Sequence, residues 1–509
     1  MRQRTTDTDV IIAGGGPTGL MLAIELTLAD VRVKVLERLE EPTGQSKSLA
    51  LQPRSAEILE LRGLLGDADR RANGKITDGH FAALPVPLDY HALRTRHPYQ
   101  VGIPQSRVEQ FLEERLSVLG VRVQRGCELV DLAQDEEGVT VTAAGPAGEA
   151  RVRAEWLVGC DGGRSIVRKK SDIGFQGSDG YGWAVVADVE LSRTPSTVPS
   201  QWRSMQEVLA PPGGPTGMVA LVPLGEPGLY RLFYGDLASR PEGMDVKAPV
   251  PPEEVIAAIA EYYGSGVEVG QVRWASRFTD AARQADRYRS GRVLLAGDAA
   301  HVHWPAGGQG LNLGLQDAVN LGWKLAAEVR GHAPEGLLDT YHSERHPVGA
   351  LVLENTRAQS ALAQPGPEVL ALRRMLGRLL NIPDVNAYFT GMVSGLDIRY
   401  ESEGRPHELL GCRFPDLDVL ARARPRDVDC LIDPSRGVLL SAHADFDQAG
   451  KSWSNRIDTL RVQEFPWDDT PAVLIRPDGH VCWAAASDES ADDSVKRLEA
   501  SLRHWFGRP

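Results

Sequence analysis

The first forty residues alternate between apolar runs and polar turns in a pattern that predicts a strand, a helix and a second strand. The apolar run 10–13 is followed by the glycine-rich turn 14–19 and by helical spacing of apolar residues to Leu26. A second apolar run, 31–36, ends at the carboxylate of Glu37. This order is typical of a βαβ unit that begins a parallel sheet.

The turn between the first strand and the helix has the G-x-G-x-x-G spacing. Gly14 makes the tight turn, Gly16 lets a pyrophosphate approach the backbone, and Gly19 allows the helix to pack closely on the strand. The helix N-terminus offers free N–H groups and a partial positive charge to phosphates. Glu37 can accept hydrogen bonds from an adenosine ribose. The unit therefore predicts a bound dinucleotide, either NAD or FAD.

Beyond this unit, the pattern divides the chain into two α/β parts separated by a β-rich part. Helices are predicted at 55–65 and 108–119, and strands at 121–123, 139–141 and 156–160. From about 180 to 280, the strand-like runs 184–191, 218–224 and 230–234 alternate with Pro/Gly joints, which indicates an inserted antiparallel sheet. The doubly wound pattern resumes at 293–298 and continues through helices such as 316–329 to about 395. Beyond Gly411, strands 437–440 and 472–475 and a closing helix 495–506 predict a separate small unit.

Two further segments bring chemistry-bearing residues to strand ends. Asp161 follows the strand 156–160 and precedes two glycines, a pattern that fits either a ligand-binding turn or a plain turn with a helix cap. The buried run 293–297 delivers Asp298 to the carboxyl edge of the sheet, where ligands bind in such folds. Residues 305–312 form a second glycine-rich turn, and the helix that follows could stabilise negative charge on a ligand ring system.

Length and composition narrow the class of protein. A chain of 509 residues exceeds one hydrophobic core, so about three domains are expected. The net charge of −13 argues against a nucleic-acid or anionic-membrane partner. No apolar stretch approaches a membrane span, and the early first strand leaves no room for a signal peptide. The five scattered cysteines fit a reducing cytoplasm without disulfides or a zinc site.

Taken in order, the three motifs resemble the class A flavoprotein aromatic hydroxylases, the group typified by para-hydroxybenzoate hydroxylase, over about residues 8–395. Residues 340–347, 355–359 and 473–481 also resemble the actinomycete hydroxylases that tailor angucycline, anthracycline and tetracycline polyketides. The resemblance implies an α/β protein with a Rossmann-like FAD-binding domain, an inserted antiparallel-sheet substrate domain and a thioredoxin-like C-terminal domain. The implied boundaries are 1–178 with 279–395, then 179–278, then 400–509, with 75–104 contributing to the substrate side. The last domain lacks a redox cysteine pair.

The resemblance makes the dinucleotide FAD and implies a role for each site residue. The first turn cradles the pyrophosphate, Glu37 holds the adenosine ribose, and Gln105 and Asp298 contact the ribityl chain. Asp161 belongs to a motif associated with FAD and transient NADPH, and Lys47 replaces a phosphate-contacting arginine of many relatives, so a solvated lysine is the alternative. The expected FAD contacts are Gly14, Gly16, Pro17, Thr18, Gly19, Glu37, Lys47, Gln105, Asp161, Asp298, Pro305, Gly310, Leu311 and Asn312.

The expected substrate pocket lies between the inserted sheet and the flavin. Its candidate walls, for each of which core packing is the alternative, are Phe81, His97, Tyr99, Trp183, Trp202, Met205, Met218, Leu221, Tyr230, Phe233 and Trp304. Pro305 and His303 are candidates at the reacting edge of the flavin, where backbone N–H groups of Leu311 and Asn312 stabilise the reduced anion. No residue identifies itself as a general base, although His301 and His303 could titrate near neutrality. A polycyclic phenol is acidic enough to react without one.

The implied activity is hydroxylation of a polycyclic aromatic polyketide in antibiotic biosynthesis. NADPH reduces the flavin and leaves, O₂ forms a flavin C4a-hydroperoxide, and its distal oxygen is transferred to a phenolic ring. Alternatives with the same chemistry are Baeyer–Villiger insertion and oxidative inactivation of an aromatic antibiotic. A flavin-binding protein without catalysis and an NAD-dependent dehydrogenase are alternatives of other classes. We expect a cytoplasmic monomer or homodimer that binds a small molecule, with no metal, nucleic acid or membrane partner.

Overall fold

The computed structural model describes residues 6–196, 198–201, 218–236, 239–402, 404–424, 430–463, 465, 467, 470–486 and 488–509. The strands of these residues are, in chain order, β1 (Thr8–Ala13), β2 (Val33–Leu36), β3 (Ala50–Leu51), β4 (Gly74–Ile76), β5 (Asp78–Gly79), β6 (Leu88–Asp89), β7 (Gln100–Gly102), β8 (Glu128–Gln134), β9 (Val139–Gly145), β10 (Gly148–Gly159), β11 (Phe175–Ser178), β12 (Trp183–Arg193), β13 (Met218–Pro223), β14 (Leu229–Asp236), β15 (Glu268–Thr279), β16 (Ala282–Ala285), β17 (Arg289–Ser290), β18 (Val293–Leu295), β19 (His301–Val302), β20 (Gly437–Ser441), β21 (Ile457–Arg461), β22 (Ala472–Ile475) and β23 (Val481–Ala484).

The α-helices of the same residues are α1 (Pro17–Leu28), α2 (Pro53–Leu61), α3 (Leu65–Arg71), α4 (Gln105–Val118), α5 (Ile166–Lys170), α6 (Pro252–Tyr263), α7 (Gln309–Val329), α8 (Thr340–Leu362), α9 (Pro367–Leu379), α10 (Pro383–Ser394), α11 (Leu417–Ala423), α12 (Ala444–Gly450) and α13 (Ala491–Phe506). None of the helices in the described ranges is both long and apolar enough to cross a membrane.

The central sheet has the strand order β17-β18-β10-β1-β2, and β8 and β9 extend it as a branch from β10. Its core strands β2, β1, β10 and β18 run parallel. Every residue of β1 and β18 is buried, because helices cover both faces of a parallel sheet. Helices α1 and α7 pack against each other, and their N-termini lie at the carboxyl edge of this sheet. This edge is the ligand-binding edge of such folds.

The middle of the chain forms a four-stranded antiparallel sheet in the order β13-β14-β12-β15. One face buries aliphatic and tyrosine side chains against α6. The other face carries Ala184, Phe233 and Phe278, which contact Trp304 of the parallel-sheet part. The inserted sheet is therefore attached to the parallel-sheet part through this second face.

The C-terminal residues form a four-stranded mixed sheet in the order β21-β20-β22-β23. Strands β20 and β21 are parallel, and β22 is antiparallel to both of its neighbours. Helix α13 covers one face with Leu498, Leu502 and Phe506. All five cysteines of the chain are free thiols, and Cys482 is buried in this unit.

Three expected elements differ from the structure, and one strand was not expected. The helix expected at 55–65 is interrupted at Gly63, whose φ of +68° ends α2 before α3 begins. The strand expected at 121–123 is absent from these described residues, where only Gln124 forms a single bridge to Leu36. Strand β8 was missed because its apolar residues stand in adjacent pairs rather than in alternation. Leu129 is the one buried residue of this strand, which suits its position at the exposed end of the branch. Helix α7 begins at Gln309 rather than at residue 316.

Candidate FAD and substrate site

The first glycine turn has the close contacts that its sequence predicts. A side chain on Gly14, which has a φ of +110°, would lie 2.3 Å from the carbonyl oxygen of Cys160, and one on Gly19 would lie 2.1 Å from the carbonyl oxygen of Gly14. Gly16, in contrast, faces open space. Gly16 caps α1 without a side-chain hydrogen bond, Pro17 occupies the first turn, and no acidic residue stands there. An anionic group can therefore approach this helix N-terminus directly.

Glu37 joins the glycine turn to the end of β2. One of its carboxylate oxygens accepts from the backbone N–H of Gly15 at 2.8 Å, and the other accepts from Leu39 at 2.9 Å. A carboxylate has about four lone-pair positions, so both oxygens keep capacity for ribose hydroxyls. Thr18 packs behind the turn, where its hydroxyl would contact any side chain at Gly297 or Gly314.

Gln105 and Lys47 lie beside each other at the start of α4. The Gln105 carbonyl oxygen accepts from the backbone N–H groups of Lys47 and Ser48, each at 3.3 Å. Its amide nitrogen donates to Glu109 at 2.8 Å, and burial raises the pKa of that glutamate. The Lys47 side chain is exposed. In this arrangement Gln105 orders the 47–48 backbone.

Asp161 and Asp298 stand at neighbouring strand ends but differ in their bonding. Asp161 accepts from the backbone N–H groups of Ile166 and Val167 at 2.7 and 3.1 Å, so one oxygen caps α5. Its other oxygen is buried without a partner among the described residues. Asp298 lies in a turn that Ala296 begins, and its side chain is exposed. Asp298 is therefore free of the capping role and open to a ligand hydroxyl.

Residues 303–308, here called the flavin loop, lead into α7. Gly307 and Gly308 have φ values of +69° and +62°, and Gly308 begins the helix without a side-chain cap or an acidic first turn. Asn312 fixes this start, because its side chain donates to the carbonyl of Gly308 at 2.7 Å and accepts from the N–H of Gln52 at 2.7 Å. The N–H groups at Gly310 and Leu311 thus point from a rigid helix start.

The two histidines beside the flavin loop have different partners. His303 donates from Nδ1 to the carbonyl of Trp304 at 2.8 Å, and its buried Nε2 has no partner among the described residues. Burial lowers the pKa of His303, which keeps the ring neutral near pH 7 with a free acceptor at Nε2. Nε2 lies 3.7 Å from the position of a side chain at Gly310. His301 instead bonds Asp317 at 2.7 Å in the interior.

Asp317 is a buried anchor that the motif analysis missed. Besides His301, it accepts from the N–H of Gly297 at 3.0 Å and from Arg345 at 2.8 Å, so it fixes both ends of the turn that carries Asp298. Burial alone would raise the pKa of Asp317, but the Arg345 charge holds it below its ordinary value. An acidic residue on the apolar face of α7 was the available signal.

The candidate wall residues divide between the two faces of the inserted sheet. Phe233 and Trp304 lie on the face toward the flavin loop, with ring centroids 5.7 Å apart, and Phe278 lies 5.2 Å from Trp304. Trp183, Leu221 and Tyr230 lie on the opposite face, in the cluster that packs against α6. These three residues belong to the core behind the sheet, because neighbouring residues of a strand point to opposite faces.

The other wall candidates have separate surroundings. Phe81 packs against Phe389 and Val393 in a cluster next to the flavin loop. His97 bonds Tyr99 at 2.8 Å and Glu60 at 2.5 Å, which puts this pair in a polar cluster on α2 rather than with Phe233 and Trp304. Trp202 and Met205 lie outside the described residues, and Met218 is described only in its backbone.

A buried ion pair lies on the same sheet face as Phe233. Arg231 donates from Nε to Asp188 at 2.5 Å, and the Trp274 indole donates to the other oxygen of Asp188 at 2.6 Å. One terminal nitrogen of Arg231 is buried without a partner in the described part of the chain. The available signal was the position of Arg231 in an apolar strand, two residues before Phe233, because residues two apart in a strand share a face of the sheet.

The residues present fit a flavin dinucleotide. Two uncapped helix N-termini, an open position at Gly16 and free carboxylate capacity at Glu37 and Asp298 converge at one edge of the parallel sheet. Such an arrangement holds a pyrophosphate at α1 and an anionic ring edge at α7. The aromatic side chains of the inserted sheet close over the second of these positions.

Comparisons with known proteins agree with this geometry. Residues 7–356 match the FAD binding domain family, and residues 407–509 match the aromatic-ring hydroxylase C-terminal family. The chain is 45% identical to the 12-dehydrotetracycline 5-monooxygenase/anhydrotetracycline 6-monooxygenase of Streptomyces rimosus, covering 98% of this chain and 99% of that protein. It is 43% identical to a rifampicin monooxygenase of Streptomyces venezuelae, covering 98% of each.

A solved structure extends the likeness to the fold. The anhydrotetracycline hydroxylase from Streptomyces rimosus matches with a TM-score of 0.87 and 44% identity, over 99% of both chains. The family match covers more than half of the sequence, and the relatives span its whole length. The chain therefore belongs to the FAD binding domain family, as a flavin-dependent aromatic monooxygenase with an aromatic-ring hydroxylase C-terminal domain.

Proposed function

We propose that this monooxygenase hydroxylates a polycyclic aromatic polyketide in antibiotic biosynthesis, using NADPH and O₂. The observation that carries the proposal is the aromatic wall of Phe233, Phe278 and Trp304, which joins the inserted sheet to the flavin loop. Flat multi-ring compounds stack on such side chains. The tetracycline-tailoring relatives support the same substrate class.

The chain's own residues hold and orient the reactants. Gly14, Gly16 and Gly19 let the FAD pyrophosphate approach α1. Glu37 accepts hydrogen bonds from the adenosine ribose hydroxyls, and Asp298 accepts one from a ribityl hydroxyl. When bound and reduced by NADPH, FAD would activate O₂ for the transfer of one oxygen atom. The N-terminus of α7 stabilises negative charge at the ring edge, and the wall around Trp304 excludes water from it. We infer that residues 179–278 form the substrate domain.

The neutral His303 ring suits a hydrogen-bonding role toward a phenol. Its Nδ1 is occupied by the Trp304 carbonyl, and its buried Nε2 is an acceptor without a partner among the described residues. A phenol O–H that approached Nε2 could donate to it and gain electron density on its ring. We propose His303 for this orienting contact, next to Pro305 at the flavin edge.

The test is product analysis with candidate tetracycline, angucycline and anthracycline precursors. We expect NADPH consumption that rises with the right precursor and a product whose NMR spectrum shows an intact carbocycle with one new hydroxyl. NADH, assayed in parallel, reports the preference between the nicotinamide cofactors. Absence of substrate-stimulated NADPH or NADH oxidation across the panel would contradict the proposal.

A second candidate, favoured by the rifampicin monooxygenase relative, is oxidative inactivation of an aromatic antibiotic. The same oxygen chemistry then inserts an atom into a ring or cleaves it. Mass alone does not separate insertion from hydroxylation, since both add one oxygen. An NMR spectrum with an enlarged or opened ring, and a product that no longer inhibits bacterial growth, would favour this candidate.

A further inference from the structure

Three buried amide side chains connect the flavin loop with the loop of residues 80–84, here called the 80–84 loop. Gln309 donates to the carbonyl of Ala306 at 3.1 Å and accepts from Asn355 at 3.3 Å. Asn355 accepts in turn from Gln359 at 2.8 Å, and Gln359 accepts from the backbone N–H of Ala82 at 2.9 Å. All three side chains are at most 5% exposed.

The backbone groups at the two ends of this series of hydrogen bonds determine the direction of every hydrogen bond in it. The Ala306 carbonyl can only accept, and the Ala82 N–H can only donate. The amide groups of Gln309, Asn355 and Gln359 must therefore all present nitrogen toward the flavin loop and oxygen toward the 80–84 loop. A buried network with one orientation and satisfied partners rigidifies the segments that it joins.

The 80–84 loop holds backbone strain that depends on these contacts. Ala82 and Ala83 both have a φ of +48°, in the left-handed region that costs non-glycine residues about 1–2 kcal/mol each. Arg373 donates to the carbonyls of both alanines, at 2.9 and 3.0 Å. Strained backbone conformations that the surrounding structure holds in place are found mainly at functional sites, where they position groups for binding or catalysis.

The two connected loops are neighbours in the core. Phe81 packs in a cluster with Val393, and a side chain on Gly307 of the flavin loop would lie 3.2 Å from Val393. His80 precedes this aromatic residue, and burial lowers its pKa to about 4, so the ring is neutral. The 80–84 loop thus lies beside the flavin loop, in a cluster separate from the one that contains Phe233 and Trp304.

We propose that Gln309, Asn355 and Gln359 are positioning residues whose amide relay sets the 80–84 loop against the flavin loop and keeps the bound aromatic ring in line for oxygen transfer. The inference rests on the proposed hydroxylase function. In the coupled reaction, one aromatic substrate, one NADPH, one proton and one O₂ give one hydroxylated product, one NADP⁺ and one water. When the ring is misplaced, NADPH, a proton and O₂ instead give NADP⁺ and hydrogen peroxide.

The test compares Gln359→Met and Asn355→Leu with the wild-type holoenzyme. Methionine keeps the length of Gln359 but has no donor and only a weak acceptor in place of the amide. N355L interrupts the relay while leaving the Gln359–Ala82 bond in place. We expect product formed per NADPH to fall about threefold or more in each variant, because small misplacements strongly reduce rates of positioned reactions. Hydrogen peroxide should rise to match, with FAD content unchanged.

Hydrogen exchange gives a readout that does not depend on activity. In Gln359→Met without substrate, we expect amide exchange of a peptide covering residues 80–84 to become about fivefold faster, as loss of one buried hydrogen bond predicts. The matched control is Ser360→Ala on the same helix, since the buried Ser360 hydroxyl has, among the described residues, one hydrogen bond, to the Thr356 carbonyl of its own helix. It should change neither exchange nor coupling.

A double variant separates a relay from independent packing. Links in series fail together, so N355L with Q359M should uncouple no more than the worse single variant. Additive losses, or unchanged product per NADPH in both single variants, would overturn the proposal. If Q359M does not fold, N355L alone carries the test. If the wild type oxidises no aromatic substrate, the proposed function fails, while the exchange measurement still decides whether the relay holds the loop.

Discussion

At the scale of single residues, Gly16 and Gly19 of the first turn are three positions apart, but substitution by alanine should affect the protein differently at each. A methyl group on Gly19 would lie 2.1 Å from the carbonyl oxygen of Gly14, so Gly19→Ala must move the backbone. A methyl group on Gly16 would meet no protein atom within 4 Å, but it would occupy the surface that we propose faces the FAD pyrophosphate. Folding and FAD binding should therefore separate between the two variants.

We expect Gly16→Ala to keep the unfolding temperature of the FAD-free protein and to weaken FAD binding by about tenfold or more, equivalent to about 1.4 kcal/mol. Gly19→Ala should lower both quantities. Gly66→Ala on α3, whose methyl group would reach only the flexible end of Arg70, is the control for a harmless helix substitution. Flavin fluorescence titration and thermal unfolding measure the two quantities. A G16A protein that binds FAD normally would contradict this role.

At the scale of elements, β14 alternates residues that face the flavin loop, and thus the proposed substrate pocket, with residues that face the core. Phe233 contacts Trp304 and Phe278, while its neighbour Tyr234 points to the other face and donates to Glu254 on α6 at 3.0 Å. Phe233→Leu should raise the dissociation constant of an aromatic substrate several-fold, since aromatic pairs add about 0.5–1.5 kcal/mol beyond area burial. Tyr234→Phe should lower stability and leave substrate binding unchanged. Substrate titration monitored by flavin absorbance distinguishes the two.

The same strand shows which features the sequence predicts and which depend on the tertiary structure. The hydrophobic pattern predicted β12, β13 and β14, because β-branched and aromatic runs between Pro/Gly joints favour strands. It could not say which half of each strand faces the flavin loop, since period-2 alternation is symmetric until the partner layer is known. The ion pair of Asp188 with Arg231 and the amide relay join segments from different parts of the chain, so local pattern alone does not predict them.

At the scale of the whole molecule, a buried charge cluster ties the C-terminal unit to the parallel-sheet part. Arg476 bonds Glu344 of α8 at 2.5 and 2.9 Å, and Lys324 of α7 bonds the same glutamate at 2.7 Å. The charges of Arg476 and Lys324 hold the pKa of Glu344 below its ordinary value in spite of burial, so it is ionised. Asp478 joins the cluster through Arg476. Such a cluster tolerates loss of one member poorly.

Glu344→Gln should therefore destabilise the protein by about 3 kcal/mol or more, the cost of leaving buried charges uncompensated. Because the cluster spans two units, calorimetry should show the single unfolding transition separating toward two. The control is Glu499→Gln, which removes an exposed pair with Arg503 and should cost less than about 0.5 kcal/mol. An E344Q protein that unfolds in one transition at the wild-type temperature would show that the interface is held by apolar packing alone.

Acid should loosen the same interface through His480, which stacks on Tyr400 with ring centroids 4.3 Å apart. Burial above all, with Arg54 and Arg476 adding to it against Asp478, lowers the pKa of His480 from 6.5 to about 3. Below pH 6.5, His480 is therefore protonated in the unfolded chain but still neutral in the folded protein, so the free energy of unfolding decreases as the pH is lowered. At pH 4.5 the loss of folding stability from this group is about 2–3 kcal/mol.

His480→Asn should flatten the decline of stability between pH 6.5 and 4.5, measured by urea unfolding. His80 and His332, whose pKa values burial also lowers to about 4, retain part of the slope. His504→Asn, at an exposed position, should leave the slope as in the wild type, and an unchanged slope in H480N would exclude His480 as the acid-sensitive contact.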